Sequence, residues 1–457
     1  MSLNIKKLST LLSPNLLTSD QIDAVNRLYQ HDHTMMIAKM GAGKTVISLT
    51  AIVDLLEDEI VDRVLVFAPL KVVRTVWRQE AEKWEHTARV NVVLCEGTPA
   101  QREKIVAKCQ QQKGIMLVGL DLMQWFFQTY KKTHGFDGLL IDELSKLKAG
   151  GKGFKKMRPH LKTFNWRAGL TGTPCSEDFE GLFYQTYALD AGERFGGRRD
   201  SYLKKYFTPT DYNEYNWELR PEGAGLITKL LEGLVYTVPD YRHELPELKI
   251  ASTLVGLPDS AQQVYDQFDK SSVLELAGHP VQTAENAAVL SGKLQQLASG
   301  ALYIDDEFGE RLGVEVFHDA KIAACDLLVR GFNEPVIICY WFKHELARLE
   351  QAFPDAINLN DEGAQEAWNE GRVNVLLMQP MSASHGIQLQ HGGRNMIFFT
   401  PIWSNDIVEQ TIARVWRQGQ KRTVNVREIV AVGTVDEAVV ERVSGKKRFD
   451  DLFHDLI

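Results

Sequence analysis

The chain has 457 residues, of which 44% are hydrophobic and 25% are charged, and its formal net charge is −8 at pH 7. This balance is typical of a globular protein of two to four domains and excludes disordered, collagen-like and small disulfide-stabilised chains. No apolar run reaches the ~18 residues that a membrane helix needs. Five scattered cysteines and an N-terminus unlike a signal peptide predict a cytoplasmic protein.

Four short apolar runs divide the first half of the chain. Each is too short for a helix and too continuously apolar for a strand with one face in water, which predicts strands of a parallel sheet covered by helices on both faces. The spacing of apolar residues between the runs is helical, as in 72–84. The runs lie at 35–38, 64–68, 115–118 and 139–141.

The second half repeats the pattern, so two doubly wound α/β lobes fit the sequence better than one large sheet. Its apolar runs lie at 336–340, 375–378, 396–399 and 424–430. The intervening stretch lacks this alternation and becomes helical around 260–297. We predict a first lobe over 1–240, a partly helical connector over 241–310 and a second lobe over 311–457.

A glycine-containing loop follows the first predicted strand and opens a predicted helix. The loop residues expected to contact phosphate are Gly41, Ala42, Gly43, Lys44 and Thr45. The glycines let backbone N–H groups converge on phosphate oxygens at the positive end of the helix dipole. Lys44 would reach the β- and γ-phosphates, and the Thr45 hydroxyl would bind Mg²⁺. The pattern predicts a nucleotide site, although Ala38 stands where such loops usually begin with glycine.

Two carboxylates, Asp142 and Glu143, end the apolar strand predicted at 139–141. Ligands of open parallel sheets bind at the carboxyl ends of the strands. Asp142 is suited to hold Mg²⁺ through water, and Glu143 to orient and deprotonate an attacking water.

Three polar residues of the second half, Gln410, Arg414 and Arg417, have the spacing of one helix face. An arginine supplied across a cleft can stabilise charge on a transferring γ-phosphoryl group. Their significance depends on the phosphate loop in the other lobe, because two arginines on a helix are more often surface charge.

Cations cluster locally despite the negative net charge. Segment 146–162 contains six lysines and Arg158 without an acidic residue, and a second cluster lies at 194–205. Such clusters fit phosphate binding or an ordinary solvated face.

Taken in order along the chain, these motifs resemble those of the superfamily-two helicase-like motors, and specifically the Swi/Snf-type double-stranded-DNA translocases in a compact bacterial or phage form. Segment 410–420, in the form Q-x-x-x-R-x-x-R-x-G-Q, and the downstream 433–437 separate this group from RNA helicases most clearly. The other similar segments are 17–21, 38–45, 67–70, 142–148, 170–174, 384–389 and 401–405.

The resemblance implies two RecA-like lobes with an ATP cleft between them, and an ATPase that needs ATP, Mg²⁺ and nucleic acid. It implies ATP contacts by Gln21, Gly386 and Gln410, and coupling of hydrolysis to nucleic-acid contact by Thr171, Gly172 and Thr173. Candidate nucleic-acid contacts are Lys71, Arg74, Lys343 and Trp403. The implied partner is DNA, duplex rather than single-stranded or RNA, bound by a single motor with room for a recruiting protein.

Three other interpretations stay open: a strand-separating or branch-migrating helicase on forked DNA, an RNA helicase, and a motor subunit or inactive scaffold that binds a partner. The sequence departs from the family pattern at Leu144, Ser145, Ser384, Gln388 and Trp416. None of these positions is a lysine, carboxylate or arginine that hydrolysis needs, so the departures bear on coupling rather than on activity.

Overall fold

The computed structural model describes residues 11–174, 179–240, 244–278, 284–305, 311–381 and 387–442. These residues form two compact units, which divide between Asp240 and Glu244. Each unit is built around its own parallel sheet.

The first unit contains a seven-stranded parallel sheet in the order β3-β4-β2-β5-β6-β1-β9 and a small antiparallel pair, β7-β8. The strands are β1 (His33–Ile37), β2 (Arg63–Ala68), β3 (Val92–Cys95), β4 (Gly114–Gly119), β5 (Gly138–Asp142), β6 (Trp166–Thr171), β7 (Phe207–Pro209), β8 (Trp217–Leu219) and β9 (Val235–Thr237). The four strands predicted in this half are confirmed.

Both faces of this sheet are buried, as the continuous apolar runs indicate. Alternate residues of β1 belong to different cores: Met35 packs in one cluster and Met36 in the other. Leu139 and Leu140 of β5 divide in the same way. The period of two along a strand therefore supplies two apolar layers for the covering helices.

The helices of the first unit have recognisable start signals. Thr18 and Gln21 form a capping box at the start of α1 (Ser19–Gln30), and Thr98 and Gln101 form another at the start of α5 (Pro99–Cys109). The stretch 70–83 is helical with a π-helical turn, Val73–Trp77, in its middle. The helices are α1 (Ser19–Gln30), α2 (Lys44–Glu57), α3 (Leu70–Val72), α4 (Arg78–Lys83), α5 (Pro99–Cys109), α6 (Met123–Tyr130), α7 (Lys152–Met157), α8 (Leu182–Asp190), α9 (Arg199–Tyr206) and α10 (Gly223–Leu231).

The second unit contains a six-stranded parallel sheet in the order β10-β17-β16-β13-β15-β14 and an antiparallel hairpin, β11-β12. Its four predicted strands are also confirmed. The strands are β10 (Leu248–Val255), β11 (Ala301–Asp305), β12 (Arg311–Val316), β13 (Val336–Cys339), β14 (Ile357–Asn358), β15 (Val375–Met378), β16 (Asn395–Phe398) and β17 (Val424–Ala431).

Part of the segment expected to be a connector belongs to this second sheet. β10 pairs in parallel with β17 over eight residues, from Leu248 opposite Val424 to Val255 opposite Ala431. β10 is an edge strand that contains Lys249, Ser252 and Thr253, so it lacks the continuous apolar run of the interior strands. The helical character expected around 260–297 is present in two helices, α11 (Asp259–Gly278) and α12 (Ala284–Ser299).

The helices of the second unit are α11 (Asp259–Gly278), α12 (Ala284–Ser299), α13 (Ala320–Phe332), α14 (Lys343–Ala352), α15 (Ala364–Asn369) and α16 (Asn405–Ile412). Two parallel sheets with buried faces confirm the predicted class, α/β with two doubly wound RecA-like lobes. Among the helices described, none has the length and apolar character to cross a membrane.

Candidate active site

The loop between β1 and α2 has the backbone that phosphate binding requires. Gly41 and Gly43 have φ angles of 86° and 85°, a left-handed conformation that glycine adopts without steric cost. Gly43 is the N-cap of α2, and no side chain caps this helix end. The N–H groups of the first turn are therefore available for an anion.

Gln21 lies against this loop, although its contact Ala42 follows it by 21 positions in the chain. The capping box of α1 fixes its side chain, because Gln21 Oε1 accepts the Thr18 N–H at 3.0 Å. Gln21 Nε2 donates to the carbonyl of Ala42 at 3.1 Å. A Cβ atom on Gly43 would lie 2.5 Å from Gln21 Nε2, so the contact requires glycine there.

Lys44 and the segment 171–173 meet at the carboxyl ends of β1 and β6. Lys44 Nζ donates to the Ala38 carbonyl at 2.9 Å, and the Ala38 N–H donates to the Thr171 carbonyl at 2.9 Å. A Cβ atom on Gly172 would lie 3.8 Å from Lys44 Nζ. The Thr173 N–H donates to Thr171 Oγ1 at 3.2 Å. The loop lysine and the predicted coupling segment are thus neighbours.

Asp142 is the last residue of β5 and is buried near Lys44. Trp77 Nε1 donates to Asp142 Oδ2 at 2.9 Å. Burial raises the pKa of the Asp142 carboxyl, while the Trp77 hydrogen bond and the charge of Lys44 oppose that rise. Sequence analysis placed Trp77 within the helical stretch 72–84 and did not predict this contact. A buried indole N–H usually needs an acceptor, which was the available signal.

Glu143 has a strained backbone, with φ 64° and ψ 58° in the left-handed region. Non-glycine residues rarely adopt this conformation, and it clusters at functional sites. The turn at Glu143 separates β5 from the short 3-10 helix Leu144–Leu147, whose first bond runs from the Lys146 N–H to the Glu143 carbonyl at 2.9 Å. Thr45 lies half-buried in the first turn of α2.

The second unit corrects one expectation. Gln410, Arg414 and Arg417 do not share a helix face, because α16 ends at Ile412 and both arginines lie in the turns that follow. The Arg414 carbonyl accepts the Leu389 N–H at 2.9 Å, a partner outside the helix. Arg414 is buried and Arg417 is half-buried. Gly386, the other predicted nucleotide contact of this unit, lies outside the described residues.

Two residues of segment 410–420 stabilise this turn through contacts that sequence analysis did not predict. Gln420 Nε2 donates to the carbonyls of Gln390 and Gly393, both at 3.1 Å. Gln420 Oε1 accepts the N–H groups of Lys421 and Arg422. Trp416 Nε1 donates to the Pro246 carbonyl at 2.7 Å. Only the geometry reveals these roles.

The predicted nucleic-acid contacts are distributed over both units. Lys71 is exposed in α3, just after β2. Arg74 is half exposed, and its Nε lies 2.8 Å from Glu96 Oε2. In the second unit, Lys343 is the exposed first residue of α14, and the Arg442 guanidinium lies 5.6 Å from the ring centre of half-buried Trp403.

The residues of the first unit fit a nucleotide with Mg²⁺. The uncapped helix end and left-handed glycines suit phosphate, and Thr45 and Asp142 suit Mg²⁺, which takes few protein oxygens when phosphates supply the others. No group of three His, Cys, Asp or Glu side chains that could hold a metal occurs within the described part of the chain. A dedicated all-protein cage is therefore absent from that part.

Comparison with protein families gives a match to the SNF2-related domain over residues 20–298. The chain belongs to this SNF2-related family. Membership makes it a nucleic-acid-dependent ATPase of helicase superfamily two, and the predicted family resemblance is confirmed.

Relatives of this SNF2-related chain differ in size. It is 32% identical to a putative protein p41 of Acyrthosiphon pisum secondary endosymbiont phage 1, over 94% of this chain and 95% of the relative. It is 21% identical to a chicken (Gallus gallus) RAD54-like DNA repair and recombination protein, over 90% of this chain and 63% of that protein. Identity to the CHD3-type chromatin-remodeling factor CHR7 of Arabidopsis thaliana is 24%, over 96% of this chain and 38% of that protein.

Among solved structures, one match is the SWI2/SNF2 ATPase core of Sulfolobus solfataricus in complex with dsDNA. The matched region covers 95% of this SNF2-related chain and 92% of the Sulfolobus chain. The TM-score is 0.43 and the sequence identity 19%.

Proposed function

We propose that this SNF2-related ATPase is a motor that moves along duplex DNA and remodels DNA or DNA–protein complexes. The observation that carries the proposal is the group formed by Lys44, Asp142 and the segment 171–173 at one edge of the first sheet. It joins the phosphate lysine to the predicted coupling segment. The names of the RAD54-like and CHD3-type relatives support DNA as the substrate class.

In this proposal the first unit binds the nucleotide. The α2 amides and Lys44 hold the phosphates, Gln21 recognises the adenine, and Thr45 and Asp142 hold Mg²⁺. Bound Mg²⁺ neutralises charge that develops on the phosphates. Glu143 accepts the proton of the attacking water. The strained backbone turn at Glu143 positions its carboxylate for this role.

The second unit would complete the site with its arginines. Arg414 and Arg417 supply positive charge to the γ-phosphoryl group, with Gln410 and Gly386 as further nucleotide contacts. Repeated closing and opening of the two units would then move the chain along the phosphate backbone. Lys71, Arg74, Lys343 and Trp403 are the proposed DNA contacts, and Arg74 would exchange its partner Glu96 for a phosphate.

The test is steady-state ATP hydrolysis with no nucleic acid, single-stranded DNA, blunt duplex, forked DNA or RNA. We expect the strongest stimulation from blunt duplex. Glu143→Gln should lower turnover by at least about 10²-fold and Arg417→Ala by about 10³-fold, the usual effects of a general base and an arginine finger. Lys44→Ala should abolish turnover, and all three variants should keep the melting temperature of the parent chain.

Each alternative predicts a different result. Stimulation mainly by forks or single strands would replace translocation on duplex with strand separation or branch migration. Stimulation by RNA alone would make the chain an RNA helicase. Low turnover on every substrate would indicate a motor subunit that needs a partner protein, and DNA-stimulated turnover surviving in Glu143→Gln would contradict the mechanism.

A further inference from the structure

Three consecutive residues that follow β16 are each bonded to a buried polar side chain from a different helix of the second unit. The helices are α12, α13 and α14. The bonds run from Lys321 Nζ to the Phe399 carbonyl at 3.3 Å, from the Thr400 hydroxyl to Glu345 Oε1 at 2.6 Å, and from Gln295 Nε2 to the Pro401 carbonyl at 2.9 Å. Segment 399–401 is therefore fixed by three helices at once.

The charged members of this group are costly to bury. Lys321 and Glu345 have no exposed surface, and Lys321 Nζ also lies 2.5 Å from Asp436 Oδ2. Burial raises the pKa of Glu345, while its hydrogen bonds and the charge of Lys321 oppose that rise. Apolar side chains of similar volume often stabilise a core as well as buried ionic groups do. Stability alone therefore does not account for the polar groups that hold segment 399–401.

Glu345 connects this segment to the start of α14. Its Oε2 accepts the N–H groups of Trp341 at 2.7 Å and of Phe342 at 3.1 Å. These two residues lie between the end of β13 and Lys343, the first residue of α14. One oxygen of the carboxylate thus holds the turn before Lys343, and the other oxygen holds Thr400.

Both segments leave the same edge of the second sheet. β13 and β16 are neighbouring parallel strands, with Cys339 opposite Phe398 near their carboxyl ends. Lys343 comes shortly after the first of these strands, and Trp403 comes shortly after the second. The two proposed DNA contacts of the second unit therefore lie on the two segments that Glu345 joins.

We propose that Glu345 is a positioning residue that sets the spacing between Lys343 and Trp403 for contact with the DNA backbone. This inference rests on the proposed function, which assigns both side chains to DNA. Glu345 itself is buried and acts only through the segments that it holds. Contacts to the backbone fix the register of a protein on a duplex, so their spacing matters as well as their charge.

Binding of a fluorescent blunt duplex to the full chain, measured by anisotropy at several salt concentrations, tests this inference beside duplex-stimulated ATP hydrolysis. Thr400→Val replaces the hydroxyl by a methyl group, so Glu345 keeps the start of α14 but loses segment 399–401. Thr400→Ser keeps the hydroxyl and is the conservative variant. Thr228→Val is the matched control, because it removes another buried hydroxyl, which donates to the Ala224 carbonyl at 3.0 Å within α10.

We expect Thr400→Val to raise the Kd for duplex about tenfold, the usual effect of losing one hydrogen bond to a charged group. The dependence of log K on log salt should become less steep by about 0.9, the value for one lost phosphate contact on B-DNA. Thr400→Ser and Thr228→Val should keep the parent Kd and salt dependence. The KM for ATP should stay at the parent level in all variants, because the phosphate loop belongs to the first unit.

The double variant Lys343→Gln/Thr400→Val separates positioning from a general loss of stability. Lys343 and Thr400 lie on different elements, and Glu345 joins them. If Glu345 sets the place of Lys343, part of the loss caused by Thr400→Val is already contained in Lys343→Gln. The rise in Kd of the double variant should therefore be smaller than the product of the two single rises.

A duplex Kd that Thr400→Val leaves unchanged, or that rises equally in Thr228→Val, would overturn the inference while leaving the motor intact. Single effects on Kd that multiply in the double variant would also overturn it. A parent chain that binds duplex without faster ATP hydrolysis would instead contradict the proposed function, while the Kd values would still decide the role of Glu345. A parent chain that does not bind duplex would contradict both.

Discussion

The side chain of Trp77 links the first core to the chemistry of the candidate site. Its indole N–H is the donor to buried Asp142, so Trp77→Phe keeps an aromatic ring but leaves a buried carboxylate oxygen without that partner. Loss of such a bond costs about 1–3 kcal/mol. We expect lower ATP turnover together with a lower free energy of unfolding, measured by steady-state kinetics and urea titration.

Trp166→Phe is the matched control for this substitution. Trp166 is also buried in the first unit, but its Nε1 donates to the Leu28 carbonyl at 2.9 Å, away from the site. Stability should fall similarly in the two variants, whereas kcat should fall only in Trp77→Phe. Equal kcat values would show that Trp77 merely packs.

His134 makes the stability of the first unit depend on pH. The Phe136 N–H donates to His134 Nδ1 at 3.1 Å, so the ring proton lies on Nε2, next to Thr163 Oγ1. Burial lowers the pKa of His134 from 6.5 to about 4. Because the folded-state pKa is depressed, the neutral ring stabilises the fold above pH 6.5, and this contribution is lost as the pH falls toward 4. The loss amounts to about 3 kcal/mol.

Urea unfolding of the parent chain and of His134→Gln between pH 7 and pH 4 measures this effect. The difference in unfolding free energy between the two proteins should narrow as the pH falls, since glutamine does not titrate. A difference that stays constant across this range would contradict a buried neutral histidine.

At the scale of elements, the phosphate loop packs against the start of α1. In Gly43→Ala, the new Cβ would meet Gln21 Nε2 at 2.5 Å, and the left-handed φ of 85° would cost about 1–2 kcal/mol. We expect weaker nucleotide binding and a lower melting temperature. In Gln21→Ala/Gly43→Ala the clash is gone, while the backbone cost and the loss of the Gln21 bonds to Thr18 and Ala42 remain. The double variant should therefore lose less stability than the sum of the losses in the two single variants.

Thermal unfolding of the two single variants and the double variant, with and without ATP, measures this coupling. Gly225→Ala is the control, because a Cβ atom there meets nothing within 4 Å. Strictly additive losses from Gln21→Ala and Gly43→Ala would show that the two residues do not interact.

Elements with continuous apolar runs could be predicted from the sequence, and edge elements could not. Interior strands such as β5 are buried on both faces and are continuously apolar, whereas polar residues interrupt the apolar sequence of β10 at the sheet edge. The loop motif predicted α2 because glycine, lysine and threonine have fixed positions there. α16 ends at Ile412, and the Arg414 carbonyl accepts the Leu389 N–H, a distant pairing that local spacing does not encode.

At the scale of the whole molecule, each sheet is built from its own part of the chain. All seven strands of the first sheet precede Asp240, and all six strands of the second follow Glu244. Each unit therefore closes its core without strands from the other, which is the condition for independent folding. We expect the fragments 11–240 and 244–442 each to fold, and the full chain to unfold in two calorimetric transitions.

The same division separates nucleotide binding from hydrolysis. The phosphate loop, Asp142 and Glu143 belong to the first unit, and the proposed arginines to the second. At a hundredfold excess over Kd, ATP should therefore stabilise fragment 11–240 by about 2.7 kcal/mol and so raise its melting temperature. The same fragment alone should turn over no ATP. Lys44→Ala should remove the shift. Turnover by fragment 11–240 alone would show that the arginines are dispensable. If ATP raised the melting temperature of fragment 244–442 only, the nucleotide would bind to the second unit, which would contradict the assignment of the site to the first.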